Sequence, residues 1–264
     1  MVKEKQLVPE LRFSEFDDEW RKVKIKDIGH FYYGKSAPKW SVSADATTPC
    51  VRYGELYSKF NEVIKKIYSH TNINPKNLKF SKGGEILVPR VGENPLGFAK
   101  CSHLTLPNVA IGEMISVFNT DEDSLFITYC FNATCTNSFA RVVEGGNVSN
   151  LYFRYLENID IKIPAQIIEQ QKIANFLSSI DNRIQSLEKK KTLLEHYKKG
   201  FIQKIFKQEL KFKDENGDFF PEWNFKKGNL LFETISNKNH NSDLPILAIS
   251  QEFGAIPREL INYN

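Results

Sequence analysis

Nine side chains on predicted loops have the chemistry to bind a nucleic acid. Lysine and arginine bind phosphate oxygens, while arginine and asparagine can also read guanine and adenine edges in the major groove. Each of them alone is typical of a solvated surface residue, and only their grouping on turns between strands favours the functional interpretation. The candidates are Lys35, Lys39, Arg52, Tyr53, Arg90, Asn94, Lys100, Arg141 and Asn147.

Residues 29–36 match the letter of a phosphate-binding loop, G-x-x-x-x-G-K-[ST], without its context. A working loop of this kind follows a buried apolar strand and opens a helix whose amides face the phosphates. Here residues 23–26 are half polar, three aromatic residues fill the loop, and Pro38 disfavours helical geometry at Ala37. The pattern favours a loop that presents Lys35, Lys39 and Trp40.

Other enzyme chemistry finds no support in the sequence. Residues 93–97 resemble an amino-methyltransferase turn, but Leu96 stands where a second proline belongs and no glycine-rich cofactor loop accompanies it. The five histidines form no i, i+4 pair. The four cysteines lack paired CxxC spacing, so we expect buried free thiols rather than a metal site or disulfides.

These side chains require an α+β domain to position them. Short apolar runs bounded by Gly, Pro, Asn or Ser predict strands at residues 50–57, 63–68, 85–90, 96–99, 110–119 and 159–163. Helical patterns predict helices at residues 123–139 and 151–157. The order of the elements indicates one α+β domain of about 130–150 residues.

One long helix is predicted from residue 165 to residue 206, a stretch that has no proline and a single glycine. Such a helix spans about 60 Å, which is longer than the domain on which it would pack. Its apolar residues recur at heptad spacing, so we expect an antiparallel partner helix from the rest of the repeat or from another chain. The predicted seam is Ile173, Leu177, Ile180, Ile184, Leu187, Leu194 and Phe201.

The positive charge of the chain is concentrated in this helix. The net charge is +4, and residues 166–207 hold nine basic against four acidic side chains. The N-terminus has no apolar run typical of a signal peptide, and no segment approaches ~18 uninterrupted apolar residues. We therefore expect a soluble, cytoplasmic protein without a membrane partner.

The sequence begins to repeat itself near residue 208. Leu11-Arg12-Phe13, an acidic turn and Trp20 return as Leu210-Lys211-Phe212, a similar turn and Trp223. Residues 49–55 are matched more loosely by residues 245–251. A period of about two hundred residues exceeds that of a solenoid and predicts a duplicated domain whose second copy has only its opening segment here.

These features together resemble the specificity subunits of type I restriction-modification systems. The resemblance is carried by residues 9–20, by the domain end at residues 159–164 and above all by the helix, from Glu169-Gln170-Gln171 to Ile205-Phe206. It divides the chain into an opening segment (1–28), a first target-recognition domain (29–163), a spacer helix (164–207) and the beginning of a second recognition domain (208–264).

The resemblance implies a non-catalytic reader of double-stranded DNA. In the family, two recognition domains each read half of a split site, and an antiparallel pair of helices separates them and docks the modification subunits. S-adenosylmethionine belongs to the modification subunits and ATP with Mg²⁺ to the restriction subunits, so this chain is expected to bind no cofactor itself. A shortened subunit could dimerise or pair with a second half-subunit. A scaffold or inhibitory fragment that binds the modification subunit without reading DNA remains the alternative.

Overall fold

The computed structural model describes residues 8–236 and 245–260, with the side chain of residue 260 left out. The chain divides between Leu193 and Leu194 into two compact units. The strands of the first unit are β1 (Arg21–Lys24), β2 (Gly29–Tyr33), β3 (Thr48–Val51), β4 (Val63–Ile64), β5 (Ser69–Thr71), β6 (Glu85–Pro89), β7 (Val91–Gly92), β8 (Ser102–Leu104), β9 (Ala110–Ile111), β10 (Ile115–Thr120), β11 (Glu144–Gly145), β12 (Ser149–Asn150) and β13 (Asp160–Ile163). The helices are α1 (Tyr53–Ser58), α2 (Ser124–Thr134), α3 (Thr136–Ala140), α4 (Phe153–Leu156) and the long α5 (Ile167–Phe206).

A five-stranded sheet in the order β2-β10-β6-β8-β4 forms the centre of the first unit. A three-stranded sheet, β5-β3-β9, is connected directly to the central sheet, because only a short turn separates β9 from β10. A third small sheet joins β7 to the hairpin of β11 and β12. The opening strand β1 pairs antiparallel with β13, so the two ends of the domain close on each other.

Alternating side chains of the central strands fill two different cores. Ile86 and Val88 of β6 pack with α2 on one face of the sheet, while Leu87 between them packs with α1 on the other. Successive residues of a strand point to opposite faces, so a strand covered on both sides needs a continuous apolar run. The Ile-Leu-Val run of β6, buried throughout, meets that requirement.

The opening segment is held on the domain by a buried ion pair. Arg12 donates two hydrogen bonds of 2.7 Å to the carboxylate of Glu169 in α5. Trp20 donates a third, of 3.2 Å, through its indole Nε1. Glu169 is fully buried, and its oxygens are satisfied by these charge-assisted and indole donors.

The long helix predicted from the sequence is confirmed over Ile167–Phe206. Within its first turns, Gln170 accepts from the Asp123 amide at 3.0 Å and donates to the Pro164 carbonyl at 3.1 Å. Beyond these turns the helix is largely exposed, and its only buried residues are Glu169, Gln170 and Ala174. The domain therefore anchors one end of α5 and leaves most of its length uncovered.

The second unit contains the end of α5 and the residues of the second copy. Trp223 packs edge-on against Phe206, with ring centroids 5.4 Å apart. Lys211 forms an ion pair with Glu222 at 2.6 Å. A hairpin of β14 (Leu247–Ser250) and β15 (Gly254–Pro257) comes next in the chain.

Several predicted strands differ from the structure. Residues 96–99 are not a strand, because the Asn94 side chain caps a 3-10 turn at Pro95–Ala99. Residues 50–57 become a strand and then α1, whose first turn Glu55 caps by accepting from the Arg52 amide. Residues 63–68 form a strand only at Val63–Ile64, and residues 110–119 break at a turn. The helix predicted at 123–139 is interrupted at Cys135, and that at 151–157 shortens to α4.

The four cysteines are buried free thiols, as the sequence predicted. Burial raises the pKa of Cys50 to about 11 and that of Cys135 to about 12, so neither is a reactive thiolate at neutral pH. Among residues 8–236 and 245–260, no helix has both the length and the apolar composition needed to cross a bilayer.

Candidate nucleic-acid interface

The ends of four strands meet around the turn that connects β9 to β10, residues 112–114. β2 and β6 both run antiparallel to β10, so their C-terminal ends lie beside its start. β3 runs parallel to β9 and ends at the same level. Backbone hydrogen bonds close the arrangement: Lys35 N to Ile111 O, Gly112 N to Val51 O, and Arg90 N to Met114 O, at 2.8 to 3.1 Å. We call this region, residues 34–37, 52–53, 90–94, 112–114 and 145–148, the loop edge.

The loop after β2 approaches the turn so closely that position 34 admits only glycine. A Cβ atom on Gly34 would lie 2.1 Å from the Gly112 carbonyl oxygen. The next residues bend sharply, since Ser36 and Ala37 both have positive φ, 62° and 57°. Non-glycine residues with positive φ are strained, so contacts with the surrounding structure must stabilise this backbone conformation. The result is an exposed Lys35 on a firmly held loop.

Helix α1 places Arg52 and Tyr53 at the loop edge. The Glu55 carboxylate is buried and accepts from the Arg52 amide at 3.1 Å, which fixes the start of the helix. The Ser69 hydroxyl also donates to Glu55, at 2.6 Å. Both Arg52 and Tyr53 keep part of their surface in solvent.

A groove with a volume of about 420 Å³ separates α1 from the hairpin of β11 and β12. Tyr53 and Tyr57 line one side, and Asn94 and Val148 line the other. The side-chain oxygen of Asn94 accepts from Leu96 N at 3.0 Å, which leaves the side-chain nitrogen to face other partners. Asn147 and Val148 are exposed at the hairpin tip, so an amide and an apolar side chain project there together.

Arg90 leaves the end of β6 and packs against two aromatic rings. Its Cζ lies 4.6 Å from the centroid of the Tyr33 ring and 5.5 Å from that of Tyr152. The Arg90 carbonyl accepts from Leu151 N at 2.8 Å, which ties the loop edge to the segment after β12. Arginine stacks well on tyrosine because its guanidinium is planar and weakly hydrated.

This aromatic network continues through residues that were not predicted from the sequence. Arg154 stacks on the rings of Tyr152 and Tyr155, at 5.2 and 4.6 Å. Glu144, in β11, accepts a hydrogen bond from Tyr155 and pairs with Arg154. A single arginine among three aromatic residues, in Tyr152-Phe153-Arg154-Tyr155, is the sequence signal that could have revealed it.

Six of the nine candidate residues therefore lie at the loop edge, and three lie apart from it. The six are Lys35, Arg52, Tyr53, Arg90, Asn94 and Asn147. Lys39 is exposed on a 3-10 turn whose Ser41 bonds Thr71 in β5. Lys100 donates to the Tyr57 carbonyl at 3.0 Å, and Arg141 is exposed at the end of α3.

The structure also rules out the nucleotide-loop pattern. Gly29–Tyr33 form strand β2, so the first five positions of the pattern cannot wrap around a phosphate. Pro38 precedes a three-residue 3-10 turn and no α-helix opens at Lys35. Within the described residues, no group of three or more His, Cys, Asp or Glu side chains is placed to hold a metal ion.

The predicted helix seam is exposed along most of α5. In the first unit Ile173 and Leu177 are partly buried and line a pocket with the opening segment, whereas Ile180, Ile184 and Leu187 are 41 to 50% exposed. In the second unit Leu194 and Phe201 are also exposed. Apolar side chains in this number on one helix are typical of a surface that binds another protein.

Comparison with known proteins shows the same fold. Residues 17–196 match the family described as the type I restriction modification DNA specificity domain. The crystal structure of the S subunit of a type I restriction-modification system from M. genitalium is similar, with a TM-score of 0.54 and 19% sequence identity. The match covers 76% of this chain and 49% of that one.

A second structure, from work on complex assembly and conformational transition of the type I R-M system, has a TM-score of 0.52 and 16% identity. It covers 74% of this chain and 46% of that one. At these identities the likeness concerns the fold. The present chain spans about half the length of the solved structures that it matches.

Proposed function

Because the chain belongs to the family of type I restriction-modification DNA specificity domains, we propose that it recognises a specific double-stranded DNA sequence through the loop edge. It acts as a non-catalytic subunit that directs adenine methylation and restriction by its partners to that sequence. The first unit reads one half of a bipartite site.

The loop edge is the observation that carries this proposal. Lys35 and Arg52 supply positive charge for phosphates, while Asn94 and Asn147 supply amides for base edges. The hairpin of β11 and β12, which pairs with β7 in a small sheet, carries Asn147 and Val148 at its exposed tip and presents them to the same partner. Backbone hydrogen bonds hold these loops in fixed positions, so little conformational entropy is lost when DNA binds.

In this proposal, helix α5 mediates the assembly of the complex. Its exposed seam pairs with an antiparallel helix, from a second copy or from a second half-subunit, and docks modification subunits. Restriction subunits join through that core. The methyl donor S-adenosylmethionine and ATP with Mg²⁺ are bound by those partners, and this chain contributes position and spacing.

DNA selection tests the reader role directly. The chain, co-purified with its modification subunit, is incubated with a pool of randomised duplexes, and bound DNA is sequenced. We expect one enriched motif whose affinity exceeds that of random DNA by a factor of about 10³ or more. Equal retention of all duplexes would contradict the proposal and favour a scaffold that binds the modification subunit alone.

Two changes in α5 test the assembly role. Ile184→Asp with Leu187→Asp places charges in the seam and should abolish association, while the fold of the recognition domain persists because its cores do not include these residues. Exposed Gln185→Asp is the matched control.

Insertion of one helical turn after Lys190 should change the spacing between half-sites and leave the base preference of each half unchanged.

A further inference from the structure

Arg90 is held in place by aromatic rings but has no hydrogen-bond acceptor among the described residues. Its guanidinium contacts Tyr33 and Tyr152, and its Nε is buried without a hydrogen-bond partner. Its backbone is fixed on both sides, by bonds to Met114 and Leu151. Unpaired donors on a positioned guanidinium call for an acceptor that the chain itself does not provide.

Arg154 lies in a similar aromatic environment, but its charge is paired. It stacks on the same Tyr152 ring, at 5.2 Å, yet donates to the Tyr155 hydroxyl at 2.7 Å and pairs with Glu144. In the part of the chain that the structure describes, no acidic side chain pairs with Arg90 in this way. Both guanidinium planes are therefore restricted by aromatic rings, and Arg90 differs from its neighbour in that its donors have no acceptor among the described residues.

The surroundings of Arg90 favour a base edge as the missing acceptor. The residue directly precedes β7, which pairs with β12, so it lies at the base of the β11–β12 hairpin whose tip is exposed. Guanine presents two acceptors in the major groove, O6 and N7, at the spacing of two guanidinium nitrogens. A guanidinium whose plane is already restricted loses little entropy on binding such a flat, two-acceptor edge.

We propose that Arg90 is a specificity-determining residue that reads a guanine through O6 and N7, with Tyr33 and Tyr152 as the residues that position it. This inference rests on the proposed reader function and specifies the base that Arg90 reads and the two base atoms that it contacts. It predicts that the motif selected by the wild-type chain contains a guanine that depends on Arg90.

The first experiment repeats the selection with variants of the same complex. Arg90→Ala should lose the preference for one G·C pair by about 5- to 150-fold and keep the remaining positions of the motif. Arg90→Lys keeps the charge but not the planar fork, and should lose the same preference in large part. Arg154→Ala is the matched control and should leave that pair selected.

The second experiment removes one acceptor from the DNA instead of the donor. Each guanine of the motif is replaced in turn by 7-deazaguanine, which lacks N7. At one position the replacement should weaken wild-type binding about tenfold and leave Arg90→Ala unaffected. Because this replacement changes the DNA and leaves the protein unchanged, it separates a direct contact from a general disturbance of the protein fold.

The outcomes distinguish this inference from the function on which it rests. If the wild-type chain selects no motif, the reader function and the inference both fail. If it selects a motif but tolerates 7-deazaguanine everywhere, only the inference fails, even when Arg90→Ala does not fold. A uniform loss of affinity in Arg90→Ala, with the salt dependence reduced by about one contact, would assign Arg90 to a phosphate and overturn it.

Discussion

The two copies of the opening segment share a sequence pattern and differ in what covers them. In the first copy Arg12 and Trp20 converge on the buried carboxylate of Glu169, and β1 pairs with β13. In the second copy Lys211 bonds the exposed Glu222, and Trp223, 51% exposed, touches Phe206. Among the described residues, the second copy has no counterpart of β13 and no buried carboxylate.

The opening segment of the first copy is completed by residues far from it in the sequence. In the first copy its acceptor and its partner strand both come from residues more than a hundred positions later in the chain. The pattern Leu-basic-Phe with a following tryptophan thus encodes a surface that is completed by the end of the same repeat. Matched positions of the two copies should therefore respond differently to the same change.

Hydrogen exchange should give the largest difference. The amides of β1 and β13 are paired in a ladder next to a buried core, whereas residues 221–227 form no regular structure. Exchange should be slower in β1 than in residues 224–227 by a factor of at least about a thousand. Equal protection in the two segments, measured by mass spectrometry, would show that the second copy docks in a way the structure does not contain.

Removing the buried carboxylate should have the next largest effect. Glu169→Gln leaves the guanidinium of Arg12 without its counter-charge in a pair whose carboxylate is fully buried, so it should lower the unfolding free energy of the first unit by more than Trp20→Ala does. Chemical denaturation of the first unit measures it. Glu222→Gln is the matched control and should leave the midpoint of that transition unchanged, since the carboxylate is 80% exposed.

The two tryptophans should differ by a smaller amount. Trp20 packs against the larger core, near Phe126, with ring centroids 6.2 Å apart, and donates to Glu169. Because it is only partly buried, Trp20→Ala should destabilise the first unit by about 2–3 kcal/mol, at the low end for an aromatic residue. Trp223→Ala should change that transition by less than about 0.5 kcal/mol. Similar losses in both variants would contradict the comparison.

Periodic patterns predicted the long elements of the fold correctly, whereas elements decided by a single local contact were missed. Helix α5 was correct because a long apolar pattern determines it, and strand β6 was correct because its short apolar run is buried throughout. Residues 96–99 were misjudged because one capping bond from Asn94 outweighs the strand-like run Leu-Gly-Phe-Ala. The Asn94-Pro95 pair, a capping residue followed by proline at the first position of the turn, was the sequence signal that could have revealed it.

The candidate site was predicted in part for a similar reason. Residue types identified Lys35, Arg52, Arg90 and Asn94 as candidates. They converge because β2 and β6 run antiparallel to β10 and β3 runs parallel to β9, which places their loops around one turn. Strand direction and register belong to the tertiary structure and cannot be inferred from the composition of the loops. The rings that hold Arg90 were missed because Tyr33 and Tyr152 lie far from it in sequence.

The smallest effect concerns exposed carboxylates, where the two copies should behave alike. Hydrogen bonding and charge from Lys22, with Lys24 nearby, hold the pKa of Asp160 below its ordinary value of 3.8. In the second copy, Lys211 lowers the pKa of Glu222 below 4.5 by the same means. Surface pairs of this kind contribute little to stability because water screens them.

A carboxylate with a lowered pKa in the folded state stabilises the protein above its unfolded-state pKa, and that contribution disappears as the pH falls through the folded value. Between pH 5 and pH 3, the wild-type first unit should therefore lose slightly more stability than Asp160→Asn, by less than Trp20→Ala costs at neutral pH. Urea midpoints across this range measure it. In NMR titrations, Asp160 and Glu222 should both titrate below their ordinary values. If Asp160 alone did so, the two copies would differ in surface electrostatics as well as in burial, and the buried carboxylate of Glu169 would no longer suffice to explain their difference.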